Sequence, residues 1–305
     1  MNPASLNELR ATFGDRMQEN APLSGYTAAR IGGPADVLVF VRKADELVQA
    51  AEKLWKMEIP FILLGGGSNV LVSDRGVRGV VIINRARLLK FNSQAKPPTV
   101  LAESGVTPND IAQRAGRLGL AGFEWAASIP GSLGGAVYGN AGAFDGDMAG
   151  NVRSVDIYHR QQGRQTWPVA KMKYGYRTSI LKRKHLPVMI LSANLVLSHA
   201  DPMAIRAKME QFSTQRRLNQ PPGASMGSMF KNPPGEKAGR LIEEAGLKGK
   251  TIGNATISTQ HANFFINTGL TKAADMRALI ELAQQTVMKQ FGIQLELEVE
   301  LIGEW

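Results

Sequence analysis

The segment from Pro60 to Val72 constrains the fold more than any other. Pro60-Phe-Ile-Leu-Leu64 reads as a strand, Gly65-Gly66-Gly67-Ser68-Asn69 as a turn, and Val70-Leu71-Val72 as a second strand. A dinucleotide turn of the doubly wound type needs a further glycine where Val70 stands and a helix after it, so that architecture is excluded here. Consecutive glycines can still aim several backbone N–H groups into one concavity, with Ser68 and Asn69 adding side-chain donors suited to a diphosphate. A plain tight turn accounts for the same residues.

Around this segment the periodicity predicts helices over Leu6 to Met17 and Ala44 to Met57, and strands at Asp36 to Val41 and Val80 to Ile83. Short strands at Val100 to Ala102, Val155 to Tyr158 and Val188 to Val196, with one helix from Pro108 to Leu118, give the middle third an α+β character with a mostly antiparallel sheet. A helix from Ile205 to Arg217 stops before Pro221-Pro222-Gly223, a natural boundary. Beyond it come a helix from Glu236 to Ala245 ending at Gly246, a strand at Ala262 to Ile266, and an amphipathic helix from Lys272 to Gln290. Met276, Leu279, Ile280, Ala283 and Val287 form the apolar stripe of that last helix. The run Ile293 to Leu301 alternates strictly and predicts a strand, with Glu296, Glu298 and Glu300 on one face at roughly 7 Å spacing. A solvated strand face is the ordinary reading of such glutamates.

With 305 residues the chain is long enough for two or three compact units. It has no cysteine, which removes disulfides and thiolate chemistry, and its four histidines, His159, His185, His199 and His261, leave little from which to build a metal site, so none is expected. No apolar run reaches the roughly 20 residues of a membrane span, and the N-terminus lacks a signal-peptide layout, so a cytoplasmic protein without membrane association is expected. A formal charge of +10 favours acidic partners. The basic residues are dispersed and not interleaved with aromatics, so phosphorylated small molecules are expected rather than nucleic acid.

Three further segments could carry chemistry. Ser128 to Ala143 is rich in glycine and unusually long and apolar for a surface loop. It offers a flat wall for a large ligand, or a buried turn of small residues, and matches neither a Walker loop nor a nucleophile elbow. Tyr174-Gly175-Tyr176-Arg177-Thr178-Ser179 sets a guanidinium, suited to a carboxylate, between a tyrosine and hydroxyls, although such pairs are commonly surface elements. Gly227-Ser228-Met229-Phe230-Lys231-Asn232-Pro233 presents a hydroxyl with no histidine near it in sequence, which fits an acid better than a nucleophile.

Taken in order, Arg30-Ile-Gly-Gly-Pro-Ala-Asp36, Leu64 to Leu71, Ile129 to Gly142, Tyr176 to Ser179, Gly227 to Pro233 and Leu297-Glu298-Val299 resemble the UDP-N-acetylenolpyruvoylglucosamine reductase family, in its shorter subclass. The resemblance implies two α/β subdomains sharing FAD plus a smaller α+β substrate-binding domain. The expected limits are 1–84, completed by a C-terminal strand at 298–305, then 85–218, then 219–297. It implies a cytoplasmic, monomeric flavoenzyme of peptidoglycan synthesis that reduces UDP-N-acetylglucosamine enolpyruvate, with FAD held non-covalently and NADPH as hydride donor.

In that scheme hydride reaches C3 of the enolpyruvyl group, Ser228 protonates C2, and Arg177 and Glu298 act at the carboxylate. Gly65, Gly66, Gly67, Ser68 and Asn69 would cradle the FAD diphosphate, and Gly134, Gly135, Asn140 and Gly142 would lie against the flavin. Tyr176, Arg177, Arg216, Lys231 and Asn232 would contact substrate. The alternation itself does not choose among Glu296, Glu298 and Glu300; the family's Glu-Val pair selects Glu298. The chain departs from the usual pattern at Asn219, where many relatives have lysine, and at Glu300, where many have a basic residue; Arg216 or Arg217 is a candidate substitute. Two other readings use part of these features: another oxidoreductase on the same flavin-binding domain, needing neither Ser228 nor Glu298, and a basic nucleotide-binding module without catalysis. Uptake of FAD separates the flavin readings from the last.

Overall fold

A computed structural model describes residues 1–305 as an α+β fold built around three main sheets. In the first, the strands Met17–Pro22 and Pro34–Val41 pair antiparallel, and Val77–Asn84 and Phe61–Leu64 then add in parallel. The helix Ala44–Lys56 connects Pro34–Val41 to Phe61–Leu64 and buries Leu47, Val48, Ala50, Ala51 and Leu54, the i, i+3, i+4 face its sequence advertises. The N-terminal helix lies at Pro3–Phe13, earlier than the Leu6 to Met17 expected. Asn2 caps it and Pro3 opens it, and Met17 already belongs to a strand absent from the sequence reading.

The second sheet is antiparallel throughout, in the order Gly163–Pro168, Val152–His159, Val188–Val196, Thr99–Glu103 and Leu89–Asn92. The helices Pro108–Arg117 and Pro202–Asn219 belong to its core, through Ile111, Ala112 and Ala115 on the first and Ile205 and Met209 on the second. The third sheet runs Ala224–Ser228, Phe264–Asn267, Ala255–Ile257, Thr251–Ile252, against which the helix Ala273–Phe291 buries its stripe Met276, Leu279, Ile280, Ala283 and Val287.

The cores are not sealed from one another. Ala29, Ile31 and Leu71, near the first sheet, share a cluster with Met226, Phe230, Leu279 and Val299, and Met189 and Leu191 of the second sheet join Leu47 and Val80 of the first unit. The third unit is tied to the first by polar contacts as well. Asp74 accepts from Ala273 N–H at 2.8 Å and from Ala274 N–H at 2.9 Å, capping the long C-terminal helix from outside it.

Two expectations are corrected. The run Ile293 to Leu301 is not one strand. Residues Glu300–Ile302 form a short strand parallel to Val70–Val72, and upstream only an isolated bridge joins Leu297 to Phe230. Its backbone changes partner midway: Lys231 N–H donates to Glu296 C=O and Glu298 N–H to Met229 C=O, whereas Glu300 N–H donates to Asn69 C=O. The second glycine stretch is neither loop nor turn throughout, because Leu133–Gly139 is helical, capped by Ser132 and ended by Asn140 in the left-handed region at φ 49°. No helix is long and apolar enough to cross a membrane.

Candidate active site

A cavity of about 610 Å³ opens where the three units meet. One wall is the turn after Phe61–Leu64. A Cβ on Gly65 would fall 2.0 Å from Ser132 Oγ, and one on Gly66 would fall 2.7 Å from Gly131 Cα, so these glycines let the two glycine segments touch. The turn has a second property. None of the backbone N–H groups from Gly65 to Asn69 donates to a protein acceptor, although Gly67 is buried. Unpartnered amides in a concave turn form an anion nest.

An adjoining wall is the helix Leu133–Gly139, and Gly134, Gly135, Gly139 and Gly142 all border the cavity. The first amides of this helix are occupied: Leu133 N–H by Val106 C=O, Gly134 N–H by Ser104 C=O, Gly135 N–H by Ser132 Oγ. It therefore offers a smooth, side-chain-poor surface rather than an anion site. Together a nest and a flat wall suit a ligand that joins a diphosphate to a planar ring, as FAD does.

Asn140 does not border the cavity. Its carboxamide donates to Asp147 Oδ2 at 3.1 Å and Gly175 C=O at 3.0 Å, and accepts from Ala149 N–H at 2.9 Å. Its place is structural, because the Gly175 carbonyl it holds is the base of a tight hairpin, Gly175 N–H to Thr178 C=O and Thr178 N–H to Gly175 C=O. Arg177 sits at the tip of that hairpin with φ 54°, a left-handed conformation costly for a side chain of this size.

Arg177 Nε lies 2.9 Å from Glu298 Oε1. The N–H does not point along that line, and Nε is buried without a hydrogen-bond partner, so the contact is an ion pair rather than a hydrogen-bonded fork. Burial raises the pKa of Glu298, against the opposing pull of Arg177, Lys182 and Lys231. The backbone of Glu298 is pinned on both sides, its N–H to Met229 C=O at 2.9 Å and its C=O by Asn69 Nδ2 at 3.0 Å.

Ser228 closes the strand Ala224–Ser228 and borders the same cavity. A bulge precedes it: Ser225 pairs with Ile266 and Ser228 with Phe264, one residue too many on this side. Gly227 supplies the positive φ of 76° that the bulge uses, and a Cβ there would meet nothing, so backbone conformation rather than space calls for glycine. None of the four histidines borders the cavity.

The three alternating glutamates, equivalent in the sequence, separate by partner and exposure. Glu296 is 71% exposed and pairs with Lys231, Glu298 is 19% exposed beside Arg177, and Glu300 is 37% exposed with Lys182 Nζ at 2.7 Å. Arg216 borders the cavity, and burial beside Arg177 lowers its pKa, whereas Arg217 is exposed and bonded to Thr214. Lys231 and Asn232 stand outside the cavity, the first in its pair with Glu296, the second accepting from Ala238 N–H at 3.1 Å. Tyr176 is also outside; its hydroxyl accepts from Asn232 N–H at 3.4 Å. Lys182, Tyr138 and Gln220 also border the cavity without having been named as site residues; Tyr138 falls within the second glycine stretch and no motif marks Lys182, while Glu300 borders it at the position where the chain departs from the family pattern. A second cleft of about 620 Å³, near Trp55 and Phe61, has only Glu58 and Arg160 as charged lining and gathers no comparable chemistry.

Residues 35–166 match the family described as FAD binding domain, and residues 218–302 match that described as UDP-N-acetylenolpyruvoylglucosamine reductase, C-terminal domain. The UDP-N-acetylenolpyruvoylglucosamine reductase of Chloroflexus aggregans is 40% identical over 289 residues, 94% of this chain and 97% of that protein. The protein of the same name from Lactobacillus gasseri is 39% identical over 289 residues, 94% of each chain. Among solved structures, the UDP-N-acetylenolpyruvylglucosamine reductase of Thermus caldophilus superposes with a TM-score of 0.79 at 34% identity, covering 93% of this chain and 99% of that one.

Proposed function

The chain belongs to the UDP-N-acetylenolpyruvoylglucosamine reductase family, and from that membership we propose that it reduces UDP-N-acetylglucosamine enolpyruvate to UDP-N-acetylmuramate as a cytoplasmic, monomeric enzyme of peptidoglycan synthesis. Bound FAD, recharged by NADPH, supplies the hydride that reaches C3 of the enolpyruvyl group. The observation that carries this reading is the convergence of Ser228, Arg177 and Glu298 on one cavity with the unpartnered amides of Gly65 to Asn69.

Those amides hold the cofactor diphosphate, with Gly134, Gly135 and Gly142 against the ring and Asn140 positioning the Arg177 hairpin. Residues 1–84 with 298–305 form the first FAD-binding subdomain, 85–218 the second, and 219–297 the substrate domain. Arg177 binds the enolpyruvyl carboxylate and stabilises the charge that develops there as C3 is reduced, an effect of about 3 kcal/mol for comparable donors. Glu298 fixes Arg177 and sits beside the same carboxylate, which it helps to polarise. Ser228 Oγ–H delivers its proton to C2, a carbon basic enough at that stage to take it from a hydroxyl, and Oγ is reprotonated by water. Arg216 meets the nucleotide diphosphate. Lys231 and Asn232 of the substrate domain, with Tyr176 reaching Asn232 from the second FAD-binding subdomain, contact substrate at an outer rim.

Purification with a flavin spectrum, followed by NADPH oxidation dependent on the enolpyruvyl substrate, tests the reading; a protein that takes up no FAD overturns it. Ser228→Ala is expected to leave flavin reduction by NADPH within about twofold and to slow reoxidation by substrate at least about 100-fold. Equal slowing of both half-reactions removes Ser228 as proton donor.

A further inference from the structure

The Lys182–Glu300 pair has no part in the scheme above, yet it occupies a junction of the cavity. Lys182 lies on the short helix Ile180–Lys184, and the capping residue Ser179, whose Oγ accepts from Lys182 N–H at 3.3 Å, donates to Tyr138 C=O at 2.6 Å. The lysine is thereby fixed to the glycine wall. Glu300 is fixed to the nest, its N–H on Asn69 C=O at 3.0 Å and its backbone paired with Val70. The Lys182 side chain is only 15% exposed, borders the cavity and has the carboxylate of Glu300 as its salt-bridge partner. Glu300 thus stands where the nest and the glycine wall are joined by its pair with Lys182, and both residues border the cavity.

We propose that Lys182 tunes the redox balance of the bound flavin, with Glu300 as the counter-charge that sets how much of the ammonium field reaches the ring. This rests on the function proposed above. A nearly buried cation on the cavity lining would favour the reduced, more electron-rich cofactor when it is bound there, and a carboxylate at 2.7 Å would attenuate that effect without abolishing it. The two side chains therefore act in opposite directions on one quantity, which no purely structural role for the pair would produce.

The test is the flavin midpoint potential of FAD-loaded Lys182→Met and Glu300→Gln, read spectroscopically against a reference dye. Lys182→Met is expected to lower the preference for reduced over oxidised FAD at least about tenfold, a shift of about 30 mV to more negative potential for a two-electron couple. Glu300→Gln is expected to shift it the other way. Shifts of the same sign, or potentials unchanged in both, overturn the proposal. Should Lys182→Met fail to fold, Glu300→Gln decides alone: a positive shift supports the proposal and any other result overturns it. A wild-type protein that binds no FAD overturns this proposal together with the reading it rests on, whereas FAD uptake with unchanged potentials overturns this proposal only.

Discussion

Glu298 shows how a single residue can carry opposing demands. Its carboxyl is mostly buried, its backbone is held from both sides, and Arg177 lies beside it without a directed hydrogen bond. Burial prevails, so in the folded protein the group holds its proton more tightly than its usual value of 4.5. Stability from this group is present below the unfolded-state value and is lost as pH rises through the raised folded-state value. Melting temperatures of wild type and Glu298→Gln, followed from about pH 4 to about pH 8, are therefore expected to diverge in favour of the variant as pH rises. A gap that moves the other way means that the Arg177 pair outweighs burial. Sequence alone does not reach this distinction, because Glu296, Glu298 and Glu300 share one alternation and differ in the cation and the burial that the fold delivers to each. Ser228 and Arg177 were legible as candidates by their neighbours. The left-handed backbone of Arg177 and the isolation of its Nε were not, since both depend on a hairpin anchored by Asn140 from another segment.

Among elements, the two glycine segments separate glycines required for the fold from glycines available to a ligand. A Cβ on Gly66 meets backbone of the partner segment at 2.7 Å, which cannot turn aside, whereas one on Gly139 meets nothing within 4 Å although the residue borders the cavity. Gly66→Ala is expected to destabilise the protein by about 1–3 kcal/mol. Gly139→Ala is expected to keep or raise stability by up to about 1 kcal/mol while weakening FAD binding, since alanine suits a helix better. Denaturation curves and flavin titration check both; unaltered FAD affinity in Gly139→Ala removes that face from the cofactor site. Most long elements were readable from period and caps, as with Ala44–Lys56 and Ala273–Phe291. The helix at Leu133–Gly139 was obscured by its glycines, although Ser132 as cap and Leu133, Ala136 and Val137 at helical spacing were available as signals. The C-terminal run misled for a different reason. Alternation records which side chains are buried, and it holds for Leu295 and Val299, but it is silent on whether one strand or two different segments receive the backbone.

For the whole molecule, the first and third units share a core and are joined by Asp74 across the N-terminus of Ala273–Phe291. Asp74→Ala is expected to lower unfolding free energy by about 1–2 kcal/mol in urea titrations, a large effect for an exposed loop carboxylate. A loss below about 0.5 kcal/mol means that apolar packing alone joins the units. The run from Glu296 to Ile302 completes the assembly, because it hydrogen-bonds first to the segment after Ser228, then to the nest at Asn69, and carries the counter-ions of Arg177 and Lys182. Those residues leave the ribosome after every other part of the site, and domains generally fold as they emerge. Both glycine segments, Ser228 and Arg177 are all made before the piece that holds them in register. A chain whose translation stops just before Glu296 is therefore expected to possess nearly every residue of the site and no working site, which makes activity a report that synthesis has passed this run.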